Sequence, residues 1–150
     1  MIAVRDGRLE DVQTIADFQV HMALDSEDVQ LDPGTVSRGV SAVMTDPSKG
    51  VYRVAEMDGQ AVGCLLTVPE WSDWRCGTVL WIHSVYVAPA ARQKGVYRAM
   101  YESLKKAVEA SSDLKGLRLY VDKRNTRAQQ VYEAMGMDGS HYHLYEWMKE

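Results

Sequence analysis

The chain has 150 residues, 46% of them hydrophobic and 25% charged, with a formal net charge of −4. That is the makeup of an ordinary soluble globule, and at this length one domain over residues 1–150 buries about two-thirds of its unfolded surface. The mild negative charge argues against a general nucleic-acid binder. The charged N-terminus argues against a signal peptide, and the longest charge-free run, Cys76 to Ala91, falls short of a membrane span.

In chain order, Ile2 to Arg5 is a short strand, and Asp6 or Gly7 precedes a helix carrying Leu9, Val12, Ile15, Ala16 and Val20 at helical spacing. That helix is expected to end near Asp25, ahead of the acidic stretch Asp25 to Asp28. Asp32-Pro33 reads as an N-cap with proline at the first helical position, opening a second helix to about Met44. After the turn Asp46 to Gly50, Val51 to Met57 alternates as a strand, Asp58-Gly59 is the chain's strongest hairpin signal, and Ala61 to Val68 returns as the second arm. Pro69 to Gly77 is then expected to be an aromatic loop. Leu80 to Val87, apolar and rich in β-branched and aromatic residues, reads as a strand buried on both faces and stopped by Pro89. Gly95 opens a helix with Val96, Ala99, Met100, Leu104 and Val108 on one stripe. Leu117 to Val121 is another strand, Asn125 to Met135 a helix closed by Gly136, and Ser140 to Met148 an edge-like strand.

Strand, basic glycine turn and helix from Leu80 to Tyr101 make the informative stretch. Such a turn presents backbone N–H groups at the positive end of a helix dipole, with Arg92, Lys94 and Arg98 beside them, so a phosphate or pyrophosphate fits there. An ordinary strand-to-helix connection with a solvated charge cluster is the alternative. Residues 92–127 hold ten Lys and Arg against four Asp and Glu, and the rest hold seven against seventeen, a split of +6 and −10. A polyanionic ligand would be drawn to the basic part, while the acidic remainder suits a cationic amine or is merely solvated helix exterior. Cys64 and Cys76 have no metal-ligand spacing, and a chain of this size needs no disulfide, so a reduced cytoplasmic protein is expected and no metal.

Val87-Ala88-Pro89 followed by Arg92-Gln93-Lys94-Gly95-Val96-Tyr97 resembles the cofactor loop of the GNAT superfamily of acyl-CoA-dependent N-acyltransferases. A second block, Asn125 to Met137, resembles the family's downstream motif, with Asn125, Ala128, Tyr132 and Gly136 at matching spacing. Tyr97 departs from the Gly or Ala usual there, so its ring must point away from the phosphates or stack on the cofactor. The resemblance covers residues 50 to 140 best. It implies an α/β (α+β) fold with a mixed, mostly antiparallel twisted sheet of six to seven strands, helices on both faces and splayed central strands.

It also implies acetyl-CoA as cofactor, held by the backbone of Val85, Tyr86 and Val87, by Arg92, Gln93, Lys94, Gly95, Val96, Tyr97 and Arg98, and by Asn125, Ala128 and Tyr132. Val85 N–H would face the thioester oxygen, and Tyr132 would protonate the coenzyme A sulfur. Read structurally, Tyr132 is a packed helix tyrosine and Asn125 a helix N-cap. His83 falls where several relatives carry a glutamate that activates the amine. Its unperturbed pKa near ~6.5 suits a general base, though a histidine on a buried strand is also often only hydrogen-bonded core. Tyr86, Glu70, His141 and Tyr142 are reserves for that role.

By the same resemblance, the acceptor would meet Asp25 to Leu31, Trp71 to Arg75 and His141 to Trp147. Acidic side chains with Trp71, Trp74 and Tyr142 would then attract a cation. Trp71 and Trp74 equally suit covering the core or a homodimer partner. The expected activity is acetyl transfer from acetyl-CoA to a primary amine of a small molecule or peptide. The alternative is a non-catalytic acyl-CoA-binding sensor or protein-interaction module on the same fold.

Overall fold

Five strands form one sheet in the computed structural model, which describes residues 1–150. They are β1 (Ile2–Asp6), β2 (Val51–Met57), β3 (Gln60–Ser72), β4 (Gly77–Val87) and β5 (Leu114–Arg118), ordered β1-β2-β3-β4-β5. Neighbours run antiparallel except β4 and β5, which are parallel. The helices are α1 (Val12–Glu27), α2 (Pro33–Thr45), α3 (Val96–Ala110) and α4 (Thr126–Ala134). No helix is long and apolar enough to cross a membrane.

Local chemistry accounts for several boundaries. Asp58 and Gly59 both take positive φ, 52° and 78°, which lets two residues close the β2–β3 hairpin between Met57 and Gln60. The Asp32 carboxylate accepts the Thr35 N–H at 2.9 Å and so caps α2, with Pro33 at its first position. Pro69 lies inside β3, opposite Leu80, instead of opening a loop as the sequence suggests. The reason is that the β2 register ends at Thr67, so beyond it β3 has β4 as its only neighbour. A residue without an N–H then breaks no second ladder. The loop shrinks to Asp73–Cys76, and β4 starts at Gly77.

The sheet carries helices on both faces, as expected. Ile15 and Ala16 of α1 and Val40 of α2 bury Tyr52, Val54, Cys64 and Tyr86 on one face. Val96, Met100 and Leu104 of α3 are buried on the other. α3 packs tightly over Gly63, where an added Cβ would stand 3.2 Å from Val96 Cγ1 and 2.8 Å from the Tyr86 carbonyl of β4.

The chain groups into two compact units, Met1–Arg118 and Leu119–Glu150. The second contains α4, capped where the Asn125 side chain accepts the Ala128 N–H at 3.1 Å and closed by Gly136 at φ 89°. Two strand assignments need correction. β5 occupies Leu114–Arg118, not Leu117 to Val121, because its register with β4 begins at Thr78↔Leu114. Ser140 to Met148 forms no strand, and the sheet has five strands where six to seven are expected. Alternation alone does not make a strand; a neighbour must supply the ladder. Tyr145 and Trp147 are 91% and 88% exposed.

Candidate active site

β4 changes character halfway along. From Thr78 to Trp81 it pairs with β5 on one side and β3 on the other, and the β5 register ends at Trp81↔Arg118. Further on, the β3 register slips: His83 faces Leu66 and Tyr86 faces Cys64, so Ser84 and Val85 stand opposite Leu65 alone. This is a β-bulge, with Ser84 at φ 55°. Cross-strand partners share a face, and Cys64 and Leu66 both belong to the α1/α2 side. The extra residue therefore brings His83 and Tyr86, three apart, onto the same face. It also leaves Val85 out of the β3 ladder.

A cavity of about 300 Å³ opens beside the bulge. It is lined by Met22, Asp25 and Ser26 of α1, by Val85, Tyr86 and Val87 of β4, and by Arg92. Arg92 is tied to the strand, its Nε donating to the Val87 carbonyl at 3.0 Å and its guanidinium lying 5.9 Å from the centre of the Tyr86 ring.

The turn into α3 alternates in hand, with Gln93 at φ 62° and Gly95 at φ 83° flanking Lys94. Alternation of this kind curls backbone N–H groups into an anion-binding concavity. No side chain caps α3, and its first backbone bond is Ala99 N–H to the Gly95 carbonyl at 3.0 Å, so the positive end of the helix dipole faces the turn. Gln93, Lys94, Gly95 and Arg98 are exposed, whereas the Val96 side chain is buried and can offer only its backbone to a ligand. The Tyr97 ring packs beside Tyr101, centroids 6.3 Å apart, and nothing lies within 4 Å of where a Gly95 Cβ would stand.

His83 is half-buried and nearly parallel to Trp81, ring centroids 6.2 Å apart. Burial holds its imidazole below the ordinary value of 6.5, so it is neutral at pH 7. In the second unit Ala128 and Tyr132 share one side of α4 by their spacing of four, and Asn125 caps its start. Burial pushes the Tyr132 phenol above its usual 10, which keeps the proton on oxygen at physiological pH.

Among the reserves, Glu70 is ion-paired to Arg118 at 2.9 Å, and His141 lies 3.3 Å from Asp138, exposed like Tyr142. Trp71 and Trp74, 64% and 91% exposed near the tip of the β3–β4 hairpin, do not cover the core. Sequence reasoning overlooked Met22 and above all Gln19. The signal for Gln19 was a polar residue at the i+3 position after Ala16 on a stripe that buries Ile15, Ala16 and Ala23.

The sequence profile of the acetyltransferase (GNAT) family matches residues 19–137. The crystal structure of a possible acetyltransferase from Clostridium difficile 630 is similar over 100% of this chain and 99% of its own, with 35% identity and a TM-score of 0.93. A ribosomal-protein-alanine N-acetyltransferase from Brucella melitensis biovar Abortus 2308 shares the fold at 15% identity and TM-score 0.81, covering 99% of this chain and 100% of its own. So does an aminoglycoside acetyltransferase from an uncultured soil metagenomic sample, at 15% identity and TM-score 0.73, covering 99% of each chain. No curated protein matches the chain. With a family profile spanning most of its length, the turn into α3 that carries the motif, and a full-length similarity at 35% identity, the chain belongs to the GNAT family of acetyltransferases.

Proposed function

We propose that this acetyltransferase takes its acetyl group from acetyl-CoA and delivers it to a primary amine of a small molecule or peptide by direct attack. The observation that carries the reading is the opened half of β4, with its bulge at Ser84–Val85, next to an uncapped helix start flanked by Arg92 and Lys94. A diphosphate suits the turn by charge and by amide geometry, and a thioester arm suits a strand edge that the sheet leaves unpaired.

Each step has a residue in this chain. The amine nitrogen bonds to the carbonyl carbon as the carbon–sulfur bond breaks, and the Val85 N–H steadies the negative charge gathering on the carbonyl oxygen. His83, neutral at working pH, or a water takes the amine proton. Tyr132, still protonated, supplies one to the departing sulfur, so a free thiol is released. One acetyltransferase domain over residues 1–150 is the proposed organisation, since the family match runs across Arg118. Asp25 on the cavity wall and the acidic remainder of the chain favour a cationic acceptor. Two free cysteines suit a reducing, cytoplasmic setting. A second copy of the chain is the proposed cover for exposed Trp71 and Trp74, checked by sedimentation.

Calorimetry with acetyl-CoA, followed by a free-thiol release assay over a panel of amines, tests the reading. Binding with acceptor-dependent thiol release is expected. Binding without it would describe a non-catalytic acyl-CoA sensor, and absence of binding would remove the proposal altogether.

A further inference from the structure

Gln19 is the one uncharged amide in the core, 7% exposed on the α1 stripe that holds Ile15, Ala16 and Ala23. An apolar side chain of similar volume would fill that place without the desolvation that a buried amide suffers. What the amide adds is direction. Its Nε2 donates to the Ser84 carbonyl at 3.4 Å and lies 3.5 Å from Cys64 Sγ, reaching the bulged strand and its partner together. Cys64 is a dependable neighbour, since burial pushes its thiol up to about 12 and it stays protonated.

The Ser84 carbonyl and the Val85 N–H belong to one peptide group. That group is planar and trans, so the two bonds point in opposite directions. Whatever grips the Ser84 carbonyl therefore aims the Val85 N–H. Ser84 itself sits at φ 55°, a left-handed conformation that a serine keeps only when its surroundings impose it. One turn further along α1, Met22 lines the same cavity as Val85, so the helix that builds the cavity wall also holds the bulge.

We propose that Gln19 is a positioning residue for acyl transfer: its side-chain amide fixes the plane of the Ser84–Val85 peptide and thereby the aim of the Val85 N–H. This rests on the acetyl-transfer reading above, in which that N–H meets the thioester oxygen. Gln19→Leu, with Gln19→Met as a second variant should the first fold poorly, is compared with the unaltered protein in two ways. Kinetically, kcat falls about 10- to 100-fold, while the KM for acetyl-CoA and the calorimetric Kd for coenzyme A stay within about threefold, because the turn at Gly95 is untouched. Structurally, a crystal structure of the variant shows the Ser84–Val85 plane rotated and Ser84 φ no longer positive. Adding Ser84→Gly, which adopts positive φ without imposed strain, recovers part of kcat. The proposal is overturned by an unchanged peptide plane, by wild-type kcat in the variant, or by kcat, KM and Kd worsening together by similar factors. If the unaltered protein releases no thiol with any amine, the acetyl-transfer reading fails, and the crystal structure still decides whether Gln19 holds the bulge.

Discussion

The two halves of β4 are a natural experiment in what a strand is for. Gly77 to Trp81 is held by neighbours on both sides and does what a central strand does, joining β3 to β5 and burying Val79. Ile82 to Val87 continues the same run of apolar residues but pairs with β3 alone, loses register at Ser84 and lines a cavity. The composition of the halves barely differs. Pairing fixed one half between two neighbours and left the other with an edge that β5 does not cover.

Replacing the Val85 amide by an ester, which deletes one N–H and little else, should cut kcat about 10²- to 10³-fold, the usual consequence of losing an oxyanion donor. The same replacement at Leu80, in the paired half, should lower thermal stability by about 1 kcal/mol and leave kcat within twofold, as expected for one backbone hydrogen bond. Comparable kinetic losses at both positions would erase the distinction between the halves. Tyr132→Phe should lower kcat about 10²-fold with a near-normal Kd for acetyl-CoA, and an equal loss in both would count against its role as acid. Lys94→Glu, at the turn that follows the open half, should weaken coenzyme A binding about tenfold, ~1.4 kcal/mol, with little change in kcat at saturation. An unchanged dissociation constant there would refute the phosphate site.

The smallest effect is in pH. Because burial holds folded His83 below 6.5, it is neutral and able to accept a proton above that folded value, and kcat/KM should fall only as pH drops through it. Stability follows the same sign: unfolded His83 binds its proton near ~6.5 while the folded one resists, so the contribution is whole above that pH and declines below it. His83→Gln should abolish this acid limb, and a limb that survives belongs to another group.

Much of this was legible in the residues. The hairpin at Asp58-Gly59, the cap at Asp32, the cap at Asn125 with closure at Gly136, and the basic turn Arg92 to Gly95 each depend on contacts within a few positions. Such contacts are written in consecutive residues. The strand patterns located β1 and β2 closely, and the resemblance of two motif blocks brought the family within reach. Where the reading erred, the deciding partner was distant in sequence. Pro69 stands in a strand because the β2 pairing of β3 ends at Thr67, and Ser140 to Met148 alternates without being a strand because no neighbour pairs with it.

By itself the sequence determined the local devices: which residues turn, which cap, where a helix starts with its dipole toward a basic loop. Those follow from backbone dihedrals and side chains a few bonds apart. Only the tertiary structure decided that β4 would slip register opposite Leu65, that β5 would stop at Arg118, and that a glutamine on α1 would meet the Ser84 carbonyl. Register is a relation between two strands, and Gln19 lies 65 positions before the serine whose carbonyl it holds, so no window along the chain contains both ends of that bond.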